Sequence, residues 1–123
     1  MIDIDIRNEL KQFHGTTEYH KHLFPGKSPI FLTNGCKYIR EVCKAYWLFD
    51  AILSYQSDPL LRGVNFQIWE LKQLRKDLTW QLTCREDRGK KPLVVQSIEY
   101  SDFPIDYLKI WVIDKVALLP SEY

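Results

Sequence analysis

The sequence predicts an α+β fold in which an N-terminal helix and a short hairpin precede a long central helix packed on a four-stranded antiparallel meander. Apolar residues recur at helical spacing in residues 5–13 and in about residues 36–56, whereas from residue 66 onward they alternate with polar ones, as in half-buried strands. Helices followed by a run of strands are typical of α+β proteins. The 123 residues, 46% hydrophobic and 27% charged, have the composition of one globular unit, so a single domain over residues 1–123 is expected.

A short amphipathic helix is predicted at the N-terminus. Ile6, Leu10 and Phe13 recur at the spacing of one helical face, and Asp3 and Asp5 precede them as candidate caps. Such a helix buries one stripe of side chains and leaves the rest in solvent.

The longest helical candidate spans about residues 36–56. Its first half is amphipathic, whereas its second half, from Ala45 to Tyr55, is apolar nearly all the way round. A helix of the second kind is covered on more than one side, so we interpret it as the central core helix. Asp58 and Pro59 are expected to end it, because the residue before a proline avoids helical geometry.

The strands are predicted from alternation and from turn residues. Residues 16–24 and 29–32 are short extended candidates joined by a loop rich in turn formers, which favours a hairpin. Leu78, Trp80, Leu82 and Cys84 give the clearest period-two pattern. Four strands are expected after residue 65, namely residues 66–69, 78–85, 93–100 and 107–116. Their short connections predict antiparallel neighbours in chain order, hence a meander.

Charge and cysteine content limit the partners and the compartment. Seventeen Lys and Arg oppose sixteen Asp and Glu, so the net charge of +1 gives no general attraction to nucleic acid or to an anionic membrane, and neither is expected as a partner. No signal-peptide pattern or membrane-length apolar run occurs, so a cytoplasmic location is predicted. Cys36 and Cys43 would lie about 10 Å apart along a helix, too far for a disulfide, so with Cys84 they are expected as reduced, buried thiols.

Four segments carry a resemblance to a known family: residues 13–19 (FHGTTEY), 45–56, 66–71 (FQIWEL) and 118–123 (LLPSEY). Together they resemble a family of small bacterial proteins known only as a domain of unknown function, and the similarity covers essentially the whole chain. The resemblance implies a complete bacterial protein from an accessory gene of a plasmid or phage. It implies no catalytic residues, and no cofactor is predicted.

The three histidines lie close together in the sequence. His20 and His22 would project from the same face of a strand, and His14 or Glu18 would add a third ligand across the loop. The functional hypothesis is a zinc or other divalent metal site with an open water position for hydrolysis. The alternative is that these residues form the exposed polar side of an edge strand.

Asp50 is the candidate buried acid. It falls on an apolar stripe of the predicted central helix, on the same side as Tyr46 and Ser54. A buried carboxylate needs hydrogen bonds or a cation, and such groups serve as general acids or bases. The structural alternative is a carboxylate that accepts hydrogen bonds from backbone amides or a tyrosine hydroxyl and orients the helix on the sheet, which is the outcome we expect.

The aromatic content, with four Trp, seven Tyr and six Phe, is large for one small core. Trp69, Trp80 and Trp111 are therefore candidates for an interface, and the alternative is a thick core. Because catalytic signatures are missing, the leading hypothesis is a non-enzymatic binding or protein-interaction module, pairing with itself or with another protein. Two alternatives stay open: a metal-dependent hydrolase or nuclease on the histidine cluster, and single-stranded nucleic-acid binding on an aromatic sheet face beside Lys72, Arg85 and Lys109.

Overall fold

A computed structural model describes residues 5–74 and 79–123; Asp3 and Leu78, a candidate cap and a candidate strand residue, lie outside them. The described residues form three α-helices and two short 3₁₀-helices (Pro59–Leu61 and Pro120–Glu122) on a mixed sheet of seven strands. The α-helices are α1 (Ile6–Leu10), α2 (Asn34–Val42) and α3 (Tyr46–Tyr55). The strands are β1 (His20–His22), β2 (Ile30–Leu32), β3 (Phe66–Gln73), β4 (Trp80–Arg85), β5 (Val94–Ile98), β6 (Tyr107–Ile113) and β7 (Val116–Leu118). The predicted fold, a long central helix on a four-stranded antiparallel meander, is therefore wrong.

The predicted central helix is two helices. Lys44 adopts a left-handed conformation, with φ at 54°, and this breaks the chain between α2 and α3. The Ala45 amide donates to the Arg40 carbonyl across the break, at 3.0 Å. Helix α2 also starts earlier than predicted, because the Thr33 hydroxyl accepts from the Cys36 amide and caps it.

The four predicted strands do not follow one another across the sheet. The order is β1-β2-β7-β6-β3-β4-β5, so β6 returns to pair with β3 and leaves β5 at the edge. For β3 to β6 this is the Greek-key arrangement. The connection between β5 and β6 carries the buried side chains of Phe103 and Ile105. The Phe103 ring meets Trp80 edge to face at 6.1 Å, so this connection is held by the core.

The last predicted strand is also divided. Asp114 and Lys115, with φ at 49° and 68°, form a two-residue turn between β6 and β7. Strand β7 then pairs in parallel with β2, placing Phe31 opposite Val116. This pairing joins the β1-β2 hairpin to the other strands and makes the sheet mixed.

The core lies between one face of the sheet and helices α2 and α3. Leu48 and Ile52 of α3 pack over side chains of the adjacent strands β6, β3 and β4. These sheet residues are Trp69, Leu71, Leu82, Leu108 and Ile110. Each such side chain stabilises the fold by roughly 1.5–3 kcal/mol on full burial. Within the described residues, no helix is long and apolar enough to cross a membrane.

The C-terminal segment is fastened to the start of α2 by Glu122. This buried carboxylate accepts from the Thr33 hydroxyl at 2.6 Å, the Gly35 amide at 3.0 Å and the Leu119 amide at 2.9 Å. A Cβ atom at Gly35 would lie 2.6 Å from a Glu122 carboxylate oxygen, so only glycine fits there. No local sequence pattern predicts this contact, because its partners are distant along the chain.

Candidate functional site

His22, Arg40 and Asp50 form a polar cluster that joins β1, α2 and α3. The His22 side chain is 3% exposed and lies 2.7 Å from the Asp50 carboxylate through Nε2. On its other side, Arg40 Nη1 lies 3.2 Å from His22 Nδ1. Because a guanidinium group only donates, Nδ1 accepts and the His22 proton is on Nε2, donated to Asp50. The Asp50 side chain is 39% exposed, where a buried acid was predicted, and its partner is a histidine, where backbone amides or a tyrosine hydroxyl were expected.

This geometry argues against nucleophilic catalysis at the cluster. A histidine that acts as a base needs one ring nitrogen free to face the nucleophile, while the other is held by a carboxylate. In His22 that second nitrogen is occupied by Arg40. The arrangement supports a positioning role for Asp50.

The other two residues of the Asp50 prediction contribute little to the cluster's polar contacts. Tyr46 is 51% exposed, and its ring lies under the Arg40 guanidinium, 5.2 Å from ring centre to Cζ. Ser54 is half-buried, and its backbone carbonyl accepts from the Ser57 hydroxyl. In the cluster, the Arg40 guanidinium thus stacks on the Tyr46 ring and donates a hydrogen bond to the neutral His22 imidazole.

The proposed metal ligands are dispersed. His20 and His22 lie on one face of β1, but His20 Nε2 lies 2.9 Å from the Asn34 side-chain oxygen, whereas His22 contacts Asp50. His14 and Glu18 are exposed. Over residues 5–74 and 79–123, no three His, Cys, Asp or Glu side chains are grouped as a metal ion requires. The metal-centre hypothesis therefore stays a prediction, and the described residues provide no convergent set of ligands that supports it.

The three cysteines are buried, unpaired thiols. Burial raises the pKa of Cys43 to about 11 and that of Cys84 to about 12, because a thiolate is poorly solvated in the core. Desolvation, followed by the charge of Glu122, also raises the pKa of Cys36. The neutral thiol, the less nucleophilic form, is favoured at all three positions.

The tryptophans of the predicted interface separate into two groups. Trp69 and Trp80 are each 1% exposed, so both are core residues of this chain. The Trp69 indole donates to Gln67, while Trp80 Nε1 is buried without a hydrogen-bond partner among the described residues. Trp111 is half-buried on the opposite face of the sheet. Of the three, Trp111 alone is placed where another molecule can reach it.

The sheet face opposite α2 and α3, here called the outer face, divides into two halves. Its positions follow from strand alternation and from the residues paired across strands. The apolar half consists of Phe31, Phe66, Ile68, Trp111, Ile113, Val116 and Leu118. The polar half consists of Glu70, Lys72, Gln81, Thr83, Arg85, Tyr107 and Lys109. Beyond the two halves, the edge strands complete the face with Lys21 next to Phe31 and with Val95 and Ser97 next to the polar half. Sequence alternation predicts the second face of each strand, but only the strand order shows which of these residues are neighbours.

Aromatic rings occupy the centre of the apolar half. The rings of Phe66 and Trp111 lie 5.2 Å apart between centres. Tyr123, from the C-terminal segment, meets Trp111 edge to face, with the ring centres 5.6 Å apart. Phe66 remains 37% exposed and Tyr123 81% exposed, so aromatic surface is left in solvent.

Glu70 is the centre of the polar half. Its carboxylate accepts a 2.5 Å hydrogen bond from Tyr107 and lies 3.7 Å from Arg85 Nε and 3.9 Å from Lys72 Nζ. Burial, reinforced by the hydrogen bond to Glu70 and by the charge of that group, raises the pKa of Tyr107. Lys109, paired with Glu70 across the strands, adds a third cation. Positive charge therefore exceeds negative charge on this half.

The comparisons with known proteins identify a family without an assigned activity. A family model described as a family of unknown function, DUF6876, matches residues 4–123. Among curated proteins and among solved structures, nothing matches. The predicted resemblance to a domain of unknown function is confirmed, and the assignment of function depends on the geometry described above.

Proposed function

We propose that this chain, which belongs to the DUF6876 family of unknown function, is a non-enzymatic protein-interaction module. Its outer face pairs with the outer face of a second copy. The observation that carries this proposal is the apolar half, with the partly exposed rings of Phe66 and Trp111 at its centre. Interface cores are enriched in aromatic residues and depleted of charged ones, as this half is. In keeping with the sequence-based expectations, the proposal places the homodimer in the bacterial cytoplasm.

The charges of the polar half favour a particular arrangement of the two copies. Lys72, Arg85 and Lys109 surround one carboxylate, that of Glu70, so two polar halves laid on each other would repel. A twofold axis that passes through the apolar half, parallel to its border with the polar half, avoids this repulsion because it sends the two polar halves to opposite ends. Twofold homodimers need only one self-complementary patch, and an apolar patch is complementary to itself.

Two matched substitutions test the proposal. Phe66 and Val95 are both exposed apolar residues whose side chains lie on the outer face, but only Phe66 belongs to the apolar half. Phe66→Lys is expected to abolish dimerisation, measured by size-exclusion chromatography with light scattering, whereas Val95→Lys is expected to dimerise like the parent protein. A parent protein that is monomeric at every concentration would overturn the proposal, and so would equal dimerisation of the two variants.

A second candidate is favoured by the polar half. Lys72, Arg85 and Lys109 share the outer face with the rings of Tyr107 and Trp111, the combination that single-stranded nucleic-acid binders use for phosphates and bases. Quenching of tryptophan fluorescence by a short oligonucleotide, weaker at high salt and lost in Lys109→Ala, would support this function. Unchanged fluorescence at low salt would exclude it.

A further inference from the structure

A cleft separates the end of α3 and its following loop from the turn between β6 and β7. It consists of two adjoining cavities of about 170 Å³ and 410 Å³ that share Gln56 and Lys115 in their linings. Small-molecule sites have volumes of roughly 300–1,000 Å³, so the larger cavity alone is wide enough for a small ligand. The cleft borders the apolar half of the outer face, because Asp114 and Lys115 lie between Ile113 and Val116, but none of its lining residues belongs to that half or to the His22 cluster.

The floor of the cleft is a fixed pair of amides. Gln67 is 4% exposed, and its side chain exchanges two hydrogen bonds of 2.9 Å with that of Gln56. Gln67 also accepts from the Trp69 indole and donates to the Val64 carbonyl. Because each contact restrains the same side chain, the floor is rigid before any ligand enters.

Cations outnumber acids along the walls. Lys27, Arg62 and Lys115 line the two cavities, against one carboxylate, that of Asp114. The Lys27 ammonium donates to the Ser57 hydroxyl at 2.9 Å. In the part of the chain that the structure describes, none of these three cations forms an ion pair. A concave site with this excess charge attracts anions.

The position of Lys115 is costly for a residue other than glycine. Asp114 and Lys115 both adopt left-handed backbone conformations, where Asn-Gly is the usual pair for such a turn. The turn is held in place because the Phe31 amide donates to the Lys115 carbonyl at 2.9 Å. Glycine would satisfy the backbone at position 115 without strain. Lys115 therefore lowers the stability of the folded chain by straining the turn, while its side chain lines both cavities.

We propose that this cleft binds a small molecule that carries a phosphate group. The three cations and one carboxylate that line the cleft give it a net positive charge. This charge complements that of a phosphate monoester ligand, about −1.5 to −2 near neutral pH, better than that of a ligand with a single carboxylate. Lys115, Arg62 and Lys27 contact the phosphate oxygens. Leu61 and Val64 line the larger cavity and contact the organic part of the ligand.

Calorimetric titration with inorganic phosphate and with glycerol 3-phosphate, at low ionic strength, tests the proposal. The parent protein is expected to bind glycerol 3-phosphate at one saturable site. Lys115→Gly is expected to bind about tenfold more weakly, as for the loss of one charged hydrogen bond, yet to melt at a higher temperature because the turn is relaxed. Lys91→Gly removes the same charge from the exposed β4-β5 loop and is expected to bind like the parent protein.

The two probes also distinguish the source of the phosphate. Tighter binding of glycerol 3-phosphate supports a phosphorylated organic ligand, and equal binding supports the phosphate group alone. Absence of saturable binding for both probes would overturn the proposal. Unchanged affinity in Lys115→Gly, or an equal loss in Lys91→Gly, would overturn it as well, since binding would then depend on general charge.

Discussion

His22 connects three elements because both of its ring nitrogens are used. Arg40 donates to one and Asp50 accepts from the other, so β1, α2 and α3 are tied at a single buried imidazole. Arg40 Nε is itself buried without a partner among the described residues, which raises the cost of any disturbance here. The role of the cluster is therefore to hold β1, α2 and α3 in position relative to one another.

Removal of the Asp50 carboxylate is expected to lower stability. Asp50→Ala would leave the buried Nε2 proton of His22 without an acceptor, at a cost of about 1–3 kcal/mol in the free energy of unfolding. Asp50→Asn keeps an accepting oxygen and should lose less. Urea denaturation measures both variants, with Asp102→Ala as an exposed acidic control. Equal midpoints for Asp50→Ala and the parent protein would contradict the positioning role.

The buried thiols predict how stability depends on pH. The pKa values of Cys43 and Cys84 rise from the usual 9.0 to about 11 and about 12 in the folded chain. The unfolded chain therefore loses these protons first, and stability falls as the pH rises from 9.0 through the folded values. Urea midpoints at increasing alkaline pH should decline less steeply in Cys84→Ala than in the parent protein. An identical decline would contradict the assignment.

At the scale of elements, the break between α2 and α3 depends on one strained residue. Lys44→Gly should raise the free energy of unfolding by about 0.5–1 kcal/mol, because glycine adopts the left-handed conformation of position 44 without strain. Lys37→Gly, inside α2, should lower it by a similar amount. Thermal denaturation of the two variants gives shifts of opposite sign if the break is correctly placed. Shifts of the same sign would indicate a continuous helix.

The docking of the C-terminal segment on α2 depends on Gly35. Gly35→Ala should lower the free energy of unfolding by about 1–3 kcal/mol, since the added methyl group meets the Glu122 carboxylate. In a Glu122→Ala background the same substitution should cost less, and a double-mutant cycle measures that coupling. Additive effects of the two substitutions would show that the residues do not touch.

Local patterns predicted local structure well, and distant pairings poorly. Alternation placed strands near residues 66–69 and 107–116, and turn residues placed the β1-β2 hairpin, because each pattern lies within one short segment. The pairing of β2 with β7 has no such signal, since the two strands are far apart in the chain. The break at Lys44 has none either, because lysine is an ordinary helical residue.

For the candidate site as well, local patterns predicted single residues but not their distant partners. Asp50 was recognised from its place on an apolar helical face, but its partner His22 lies 28 residues away, on another element. The three cations of the polar half were recognised one by one, and only the strand register shows that they share a face. The cleft beside Lys115 was not predicted. The strain in its turn depends on left-handed backbone angles, and the pair Asp-Lys is not a sequence that predicts such angles.

At the scale of the whole molecule, the sheet is covered unequally. Its inner face is closed by α2 and α3, whereas its outer face keeps an apolar half with partly exposed aromatic rings. Exposed apolar patches of this kind mark interaction sites in soluble proteins. Pairing of two such faces would produce a sandwich with helices on both outsides.

Sedimentation equilibrium of the parent protein measures whether two outer faces pair. As the concentration rises from micromolar toward millimolar, the apparent mass is expected to increase from that of one 14.7 kDa chain to twice that value and then to stay constant. A closed dimer is expected because the twofold arrangement uses the apolar half of each copy completely. A mass that stays at 14.7 kDa throughout, or one that keeps rising beyond the dimer, would show that the outer faces do not form a closed pair.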